Sequence, residues 1–329
     1  MKLFPKMALA AAAISGMSLS AFANAGAPEA GSLLLYPCFD SNRGSQTLIT
    51  VTNTNADFSQ VGQLFTGTVD VEFVYIEKET CLEFNRTRRL TPNDTLTVVA
   101  RDDNPNQREG YVYVFAKSPT SGAAISWNWL IGIGQVDSAL GNAVDINPYV
   151  FKAVGAQGAA TDANSDGLRN LDGVEYEGAP DRLLIPRFVG QGGGAAAESV
   201  LVLINLTGAA RFTAIVDFLI YNDNEEVFSA QYDFKCWEKV DLEDINGAFN
   251  NVFLRDLTND NPLETLGGGV ETGWFRLNGS IAFSNSDSVN NPAILAALFE
   301  AYQGVTGELP FTSGVQLNGE LVSQSNFHD

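Results

Sequence analysis

The sequence predicts an all-β protein made of two tandem antiparallel sandwiches that arose by internal duplication, with few short helices. Three observations predict it. Runs such as "TLITVTNT" (47–54), "GTVDVEFVYI" (67–76), "DTLTVVA" (94–100), "GYVYVFA" (110–116) and "SVLVLINLT" (199–207) are rich in β-branched and aromatic residues and are bounded by Asn, Asp, Gly and Pro. Seven short matches run in the same order through both halves: "YPCF" (36–39) with "IPRF" (185–188), "TLITVTN" (47–53) with "VLVLIN" (200–205), "VEFVY" (71–75) with "VDFLI" (216–220), "CLE" (81–83) with "CWE" (236–238), "GYVYVF" (110–115) with "GWFRL" (273–277), "ISWN" (125–128) with "IAFS" (281–284), and "NPYVF" (147–151) with "NPAIL" (291–295). No regular helix separates the strands, which argues against a parallel sheet.

The elements follow in order. Lys2 and Lys6, the apolar run 7–22 and the small-residue end Ala23-Asn24-Ala25 predict a secretory signal peptide over 1–25. The first sandwich is expected over 26–155, an acidic linker over 156–180 and the second sandwich over 181–329. A Pro-Asn-Asp turn (92–94) starts a strand in the first half. One helix is expected at "NNPAILAALFEAY" (290–302), where Asn291 suits a cap and Pro292 the first turn, with Ile294, Leu295, Leu298 and Phe299 on one apolar face.

Acidic residues number 39 against 19 Lys and Arg, giving a net charge of −20. Such a surface repels nucleic acid and anionic lipid. No apolar run after the signal peptide approaches the length that would span a bilayer, so neither nucleic acid nor membrane insertion is expected. The partners left are a surface protein or a glycan. The chain is expected to be secreted, at the cell surface or in the periplasm, and there a disulfide can form. Of Cys38, Cys81 and Cys236, the pairing expected is Cys38–Cys81, because the matched segments put Cys81 and Cys236 at corresponding places in different sandwiches. Cys236 would stay a buried thiol.

Two resemblances bear on this reading. "LTPNDTLTV" (90–98) resembles the turn-plus-strand signature of bacterial immunoglobulin-like modules of secreted and surface proteins, and "TLITVTNTN" (47–55) resembles their early strand. The opening "LLLYPCFDSNRGSQTLITVTNTN" (33–55) is similar to exported bacterial proteins without an assigned activity. These resemblances imply an immunoglobulin-like sandwich and a surface or secreted context, and they imply no activity.

Between the halves, "DANSDGLRNLDGVEYE" (162–177) spaces oxygen side chains as calcium loops do. Asp162, Asn164 and Asp166 alternate, Gly167 permits a sharp turn, and Leu168 would offer its carbonyl. The twelfth position is Gly173, where an EF-hand needs Glu, so Asp172 or Glu175 would supply the remaining carboxylate. The D-x-N-x-D-G core resembles thrombospondin-type and dockerin-like loops. Bound Ca2+ would stiffen the joint, a structural role.

Other motifs fall away. "GQGGGA" (190–195) is followed by a strand pattern, so no helix N-terminus would receive a pyrophosphate. The sole histidine, His328, is next to the last residue, where a catalytic base is poorly held. A two-carboxylate hydrolase stays open as an alternative, but no pair is selected. Trp127, Trp129, Trp237 and Trp274 could form a sugar platform, although Trp127 and Trp274 fall within matched strands, where a core position is simpler. Asn85, Asn93, Asn205 and Asn278 head Asn-x-Ser/Thr triplets. The expected function is a non-enzymatic structural or adhesion role. The alternatives are a lectin-like module, a filament subunit joined by strand exchange, and the hydrolase.

Overall fold

The computed structural model describes residues 29–329 apart from 138–142, 181, 193–196, 209–210, 223, 258–270, 303–304, 309–314, 317–320 and 323–329. The expected signal peptide and His328 lie outside the described residues.

The first half contains β1 (Leu33–Asp40), β2 (Gln46–Asn53), the short hairpin β3 (Gln60–Val61) and β4 (Leu64–Phe65), β5 (Val69–Glu77), β6 (Glu83–Leu90), β7 (Thr95–Val99), β8 (Glu109–Lys117), β9 (Leu130–Asp137), β10 (Ala143–Ile146) and β11 (Tyr149–Phe151). After β12 (Ala179–Pro180), the second half contains β13 (Arg182–Val189), β14 (Ala197–Asn205), β15 (Thr213–Asn222), β16 (Val227–Lys235), β17 (Trp237–Asp241), β18 (Thr272–Phe283), β19 (Ser288–Asn290), β20 (Ile294–Tyr302), β21 (Val305–Glu308), β22 (Val315–Gln316) and β23 (Leu321–Val322). Among the described residues the helices are short, as at Asn251–Leu257.

Sheet 1 has the order β10-β9-β2-β7 and sheet 2 the order β11-β1-β8-β5-β6. In the second half, sheet 3 runs β21-β20-β14-β17 and sheet 4 runs β22-β13-β18-β15-β16. Matching the strands in chain order gives the same arrangement twice. Local irregularities repeat as well. The register between β1 and β8 shifts between Tyr36 and Phe39, and that between β13 and β18 shifts between Ile185 and Phe188, with a proline inside each bulge. Gly110 and Gly273 sit at matching places, where a Cβ would meet Ile76 O at 1.9 Å and Tyr221 O at 2.4 Å. Asn53 and Asn205, each ending the second strand of its half, are buried, and their amides donate to main-chain carbonyls.

The layers stack in the order 1, 2, 3, 4. Leu34, Tyr36, Ile49, Val51, Phe73 and Val112 fill the space between sheets 1 and 2. Ile185, Phe188, Leu203, Phe218, Phe275 and Leu298 fill that between sheets 3 and 4. A third core joins the halves: Leu33, Leu35, Val74, Ile76, Tyr111 and Tyr113 of sheet 2 pack against Val202, Ile204, Trp237, Leu295 and Ala297 of sheet 3. The central strands of sheets 2 and 3 are therefore covered on both faces.

That layering explains the first correction. Residues 290–302 form no helix; Ile294–Tyr302 is β20, the neighbour of β14 in sheet 3. Its apolar run is continuous because Ile294, Ala296 and Leu298 face one core while Leu295 and Ala297 face the other. A strand buried on both faces lacks alternation and imitates a short helix. Asn291 takes a left-handed backbone with φ of 52° and does not act as a cap.

The disulfide is the second correction. Cys81 bonds Cys236, and the Cys38 thiol stands outside the bridge. Cys81 lies in the turn between β5 and β6, whereas Cys236 separates β16 from β17, the counterparts of β6 and β7. The "CLE" and "CWE" segments are thus not equivalent, and the reason for excluding this pair disappears. The seam brings both turns together, and Trp237 Nε1 donates to Pro37 O across it at 2.8 Å. "NPYVF" and "NPAIL" are likewise out of step, since the first enters the edge strand β11 and the second enters β20, the counterpart of β9. "ISWN" follows β8, while "IAFS" lies at the end of β18, so that pair is also displaced. The other four matches fall on equivalent strands.

Candidate functional site

The predicted calcium segment is an ordered loop rather than a solvated tether. Leu171, Tyr176 and Ala179 anchor it in the core between the halves. Arg169 is buried, with its guanidinium 4.7 Å from the Phe115 ring centroid, and it donates to Gly167 O. The Asp162 carboxylate accepts from Asp166 N and Gly167 N, both at 3.1 Å. Asn164 Nδ2 donates to Asp166 Oδ2 at 2.7 Å, and Asp166 Oδ1 accepts from Leu168 N at 2.8 Å. The Leu168 N–H bond is the main reason that the Asp166 pKa is held below the usual carboxylate range.

Asp172 serves a separate turn, accepting from Val174 N at 2.8 Å. Glu175 is 5% exposed and binds both ends of the loop, accepting from Ala163 N at 3.1 Å and Asn170 N at 3.2 Å. Burial pushes its pKa up, and the charge of Asp162 adds to the rise. The structure therefore gathers Asp162, Asn164, Asp166 and Leu168, places Glu175 beneath them and leaves Asp172 in its own turn. Among the described residues, no three carboxylate, thiol or imidazole groups converge on one point.

The tryptophans divide differently from the sequence expectation. Trp127 and Trp237 are buried, and the Trp127 indole donates to Asn53 Oδ1 at 3.1 Å. Trp129 is exposed in a turn. Trp274, expected in a core, instead points outward from sheet 4, because its neighbour Phe275 takes the inward position. The alternation in "GWFRL" carried that signal, but either phase could have been the inner one until the register against β15 was known.

Cross-strand register maps the outer face of sheet 4. Trp274, Tyr221 and Val227 form one row, Leu184, Arg276, Leu219 and Ser229 the next, and Arg182, Asn278, Asp217 and Gln231 a third. The Tyr221 and Trp274 rings are 3.9 Å apart and within 3° of parallel. Each ring spends one face on the other, and both rings are partly buried on the outer side of the sheet. Beside it, Gln231 Nε2 donates to Asp217 Oδ1 at 2.7 Å. Apolar ring faces flanked by amide, carboxylate and guanidinium groups can hold a ligand that has an apolar face and a hydroxylated edge.

The equivalent rows of sheet 2 are Tyr111, Ile76 and Glu83, then Leu35, Tyr113, Val74 and Asn85, then Leu33, Phe115, Glu72 and Thr87. Much of that face is sealed beneath the second half. On sheet 1, the counterpart of the other side of the seam carries Thr50 paired with Thr97 and Thr52 paired with Thr95, each pair bridged by hydroxyls 2.9 Å apart. The matching pairs in sheet 3 are Val202 with Lys239 and Ile204 with Trp237. Sheet 1 thus presents paired threonine hydroxyls where sheet 3 presents Val202, Lys239, Ile204 and Trp237.

No family model matches the chain, and no curated protein matches it. Among solved structures, it is similar to a chain of the cryo-EM structure of broad bean stain virus, at 11% identity and a TM-score of 0.21, covering 88% of this chain and 81% of that one. It is also similar to the N-terminal CBM22-1–CBM22-2 tandem domain of Paenibacillus barcinonensis Xyn10C, at 9% identity and a TM-score of 0.16, covering 78% and 79%.

Proposed function

We propose that the chain is an exported, non-enzymatic protein that binds carbohydrate on the outer face of sheet 4, with the double sandwich serving as a rigid support. The carrying observation is the Tyr221–Trp274 stack on an open sheet, flanked by Arg276, Asn278, Asp217 and Gln231. Pyranose rings offer C–H faces to aromatic surfaces and hydroxyls to such polar neighbours. The Cys81–Cys236 bridge supports export, since disulfides persist in oxidising compartments.

Affinity electrophoresis through gels containing plant or bacterial polysaccharides tests the proposal. Wild-type protein is expected to be retarded. Trp274→Ala is expected to weaken binding by about 10- to 100-fold, the equivalent of removing one well-packed aromatic contact. Trp129→Ala should bind as the wild type does. Retention that is indifferent to Trp274 and Tyr221 would remove the reading.

A second reading concerns calcium at the acidic loop. It is supported by the closeness of the Asp162 and Glu175 charges and by the second lone pair that each bonded carboxylate oxygen retains. With a folded pKa raised by burial, Glu175 costs folding free energy as pH rises from the unfolded carboxylate value through the folded one. A cation would offset that cost. Millimolar calcium is therefore expected to raise the melting temperature at neutral pH and to lose this effect in acid, where Glu175 is protonated. Asp162→Ala with Asp166→Ala should abolish it, and an unchanged melting temperature in the wild type would reject the site.

A further inference from the structure

Resting on the carbohydrate reading, we infer that the preferred ligand is an acidic polysaccharide whose uronate carboxylate is received by Arg276. The two copies differ at the matching positions of these faces. Where the sealed face of sheet 2 has Leu33, Tyr113 and Phe115, the open face of sheet 4 has Arg182, Arg276 and Asn278. The apolar and aromatic positions Leu35, Val74, Ile76 and Tyr111 are kept as Leu184, Leu219, Tyr221 and Trp274.

Solvating a released face requires polar residues of any kind. In a chain with 39 acids against 19 Lys and Arg, both charges at these three positions are nevertheless arginine. Among the described residues no ion pair reaches Arg276, which is exposed. It stands two residues from Trp274 on β18, on the same side of the sheet and so about 7 Å along it. A sugar lying against the outer face of Trp274 would bring an exocyclic carboxylate within reach of the guanidinium. A planar, always-charged fork suits a carboxylate better than a hydroxyl.

The net charge of −20 opposes polyanions at long range. At physiological ionic strength the screening length is about 8 Å, so the local guanidinium decides at contact. The test is therefore run near 0.15 M salt, with polygalacturonate, neutral galactan and dextran sulfate in parallel gels.

Wild-type protein is expected to bind polygalacturonate about 10-fold more tightly than galactan, the usual size of one charged hydrogen-bonded contact. Arg276→Gln should erase the preference while keeping galactan binding, and Arg276→Lys should keep part of it. Trp274→Ala should lose both polymers. Equal binding of galactan and polygalacturonate, or a preference that survives Arg276→Gln, overturns the uronate assignment and leaves the sugar face standing. Dextran sulfate bound as tightly as polygalacturonate would show charge attraction alone and also overturn it. Binding to neither polymer, nor to any other tried, overturns both readings.

Discussion

Tyr111→Ala is expected to destabilise the protein by about 3–5 kcal/mol, the cost of emptying a large aromatic site in a packed core. The same truncation at Trp274, the matching position of the second copy, is expected to cost no more than about 1 kcal/mol, the scale of one cross-strand pair on an open face. Tyr111 is fully buried beneath sheet 3, whereas Trp274 is only partly buried on sheet 4. Equivalent places in duplicated sandwiches thus differ in cost because only one face is covered. Urea unfolding of the two variants measures the difference. The seam should also make the halves unfold as a unit, since a large apolar interface couples domains that would otherwise move independently. Calorimetry of the wild type should show one transition, and Tyr111→Ala should broaden or split it.

Removing the bridge is expected to have an effect of similar size. Cys81 and Cys236 are 155 residues apart, so the bond closes a long loop. In the chain-entropy model a loop of this length contributes about 5 kcal/mol. Cys81→Ser with Cys236→Ser should lower the melting temperature strongly, and reductant should have the same effect on the wild type. Cys38→Ser should leave the reductant response intact. A wild type that melts identically with and without reductant would contradict the prediction.

Strand content was legible in the sequence where apolar and polar residues alternate. β15 alternates half-buried and buried residues along its whole length, and β2 does the same. Two-sided burial erased the period in β8, β14 and β20 alike; β-branched and aromatic residues still marked the first two as strands, whereas the Ala- and Leu-rich run of β20 imitated a helix. The duplication could be read from four segments that keep their strand places. It misled at the cysteines, where a shared Cys-x-Glu pattern suggested an equivalence that the strand order denies.

The acidic loop shows a different limit. Spacing placed Asp162, Asn164 and Asp166 together, and the structure does so, but it could not foresee that main-chain N–H groups would occupy those oxygens. Asp172 was out of reach for the same reason, as it turns its own segment. The sheet 4 face was illegible without register. Trp274 reads as core or surface depending on a phase that only its pairing with Tyr221 fixes.

The central claim is that two copies of one sandwich dock asymmetrically, sheet 2 of the first against sheet 3 of the second, which seals one face and frees its twin. The bond between Cys81 and Cys236 can form only if the turn after β5 meets the turn after β16 across that seam. Proteolysis of the protein, purified without reductant, followed by mass spectrometry of the linked peptides, reads this directly. The docking predicts one linked pair, containing Cys81 and Cys236, and a Cys38 peptide that alkylates. A linked pair containing Cys38 and Cys81, with Cys236 alkylated, would contradict it.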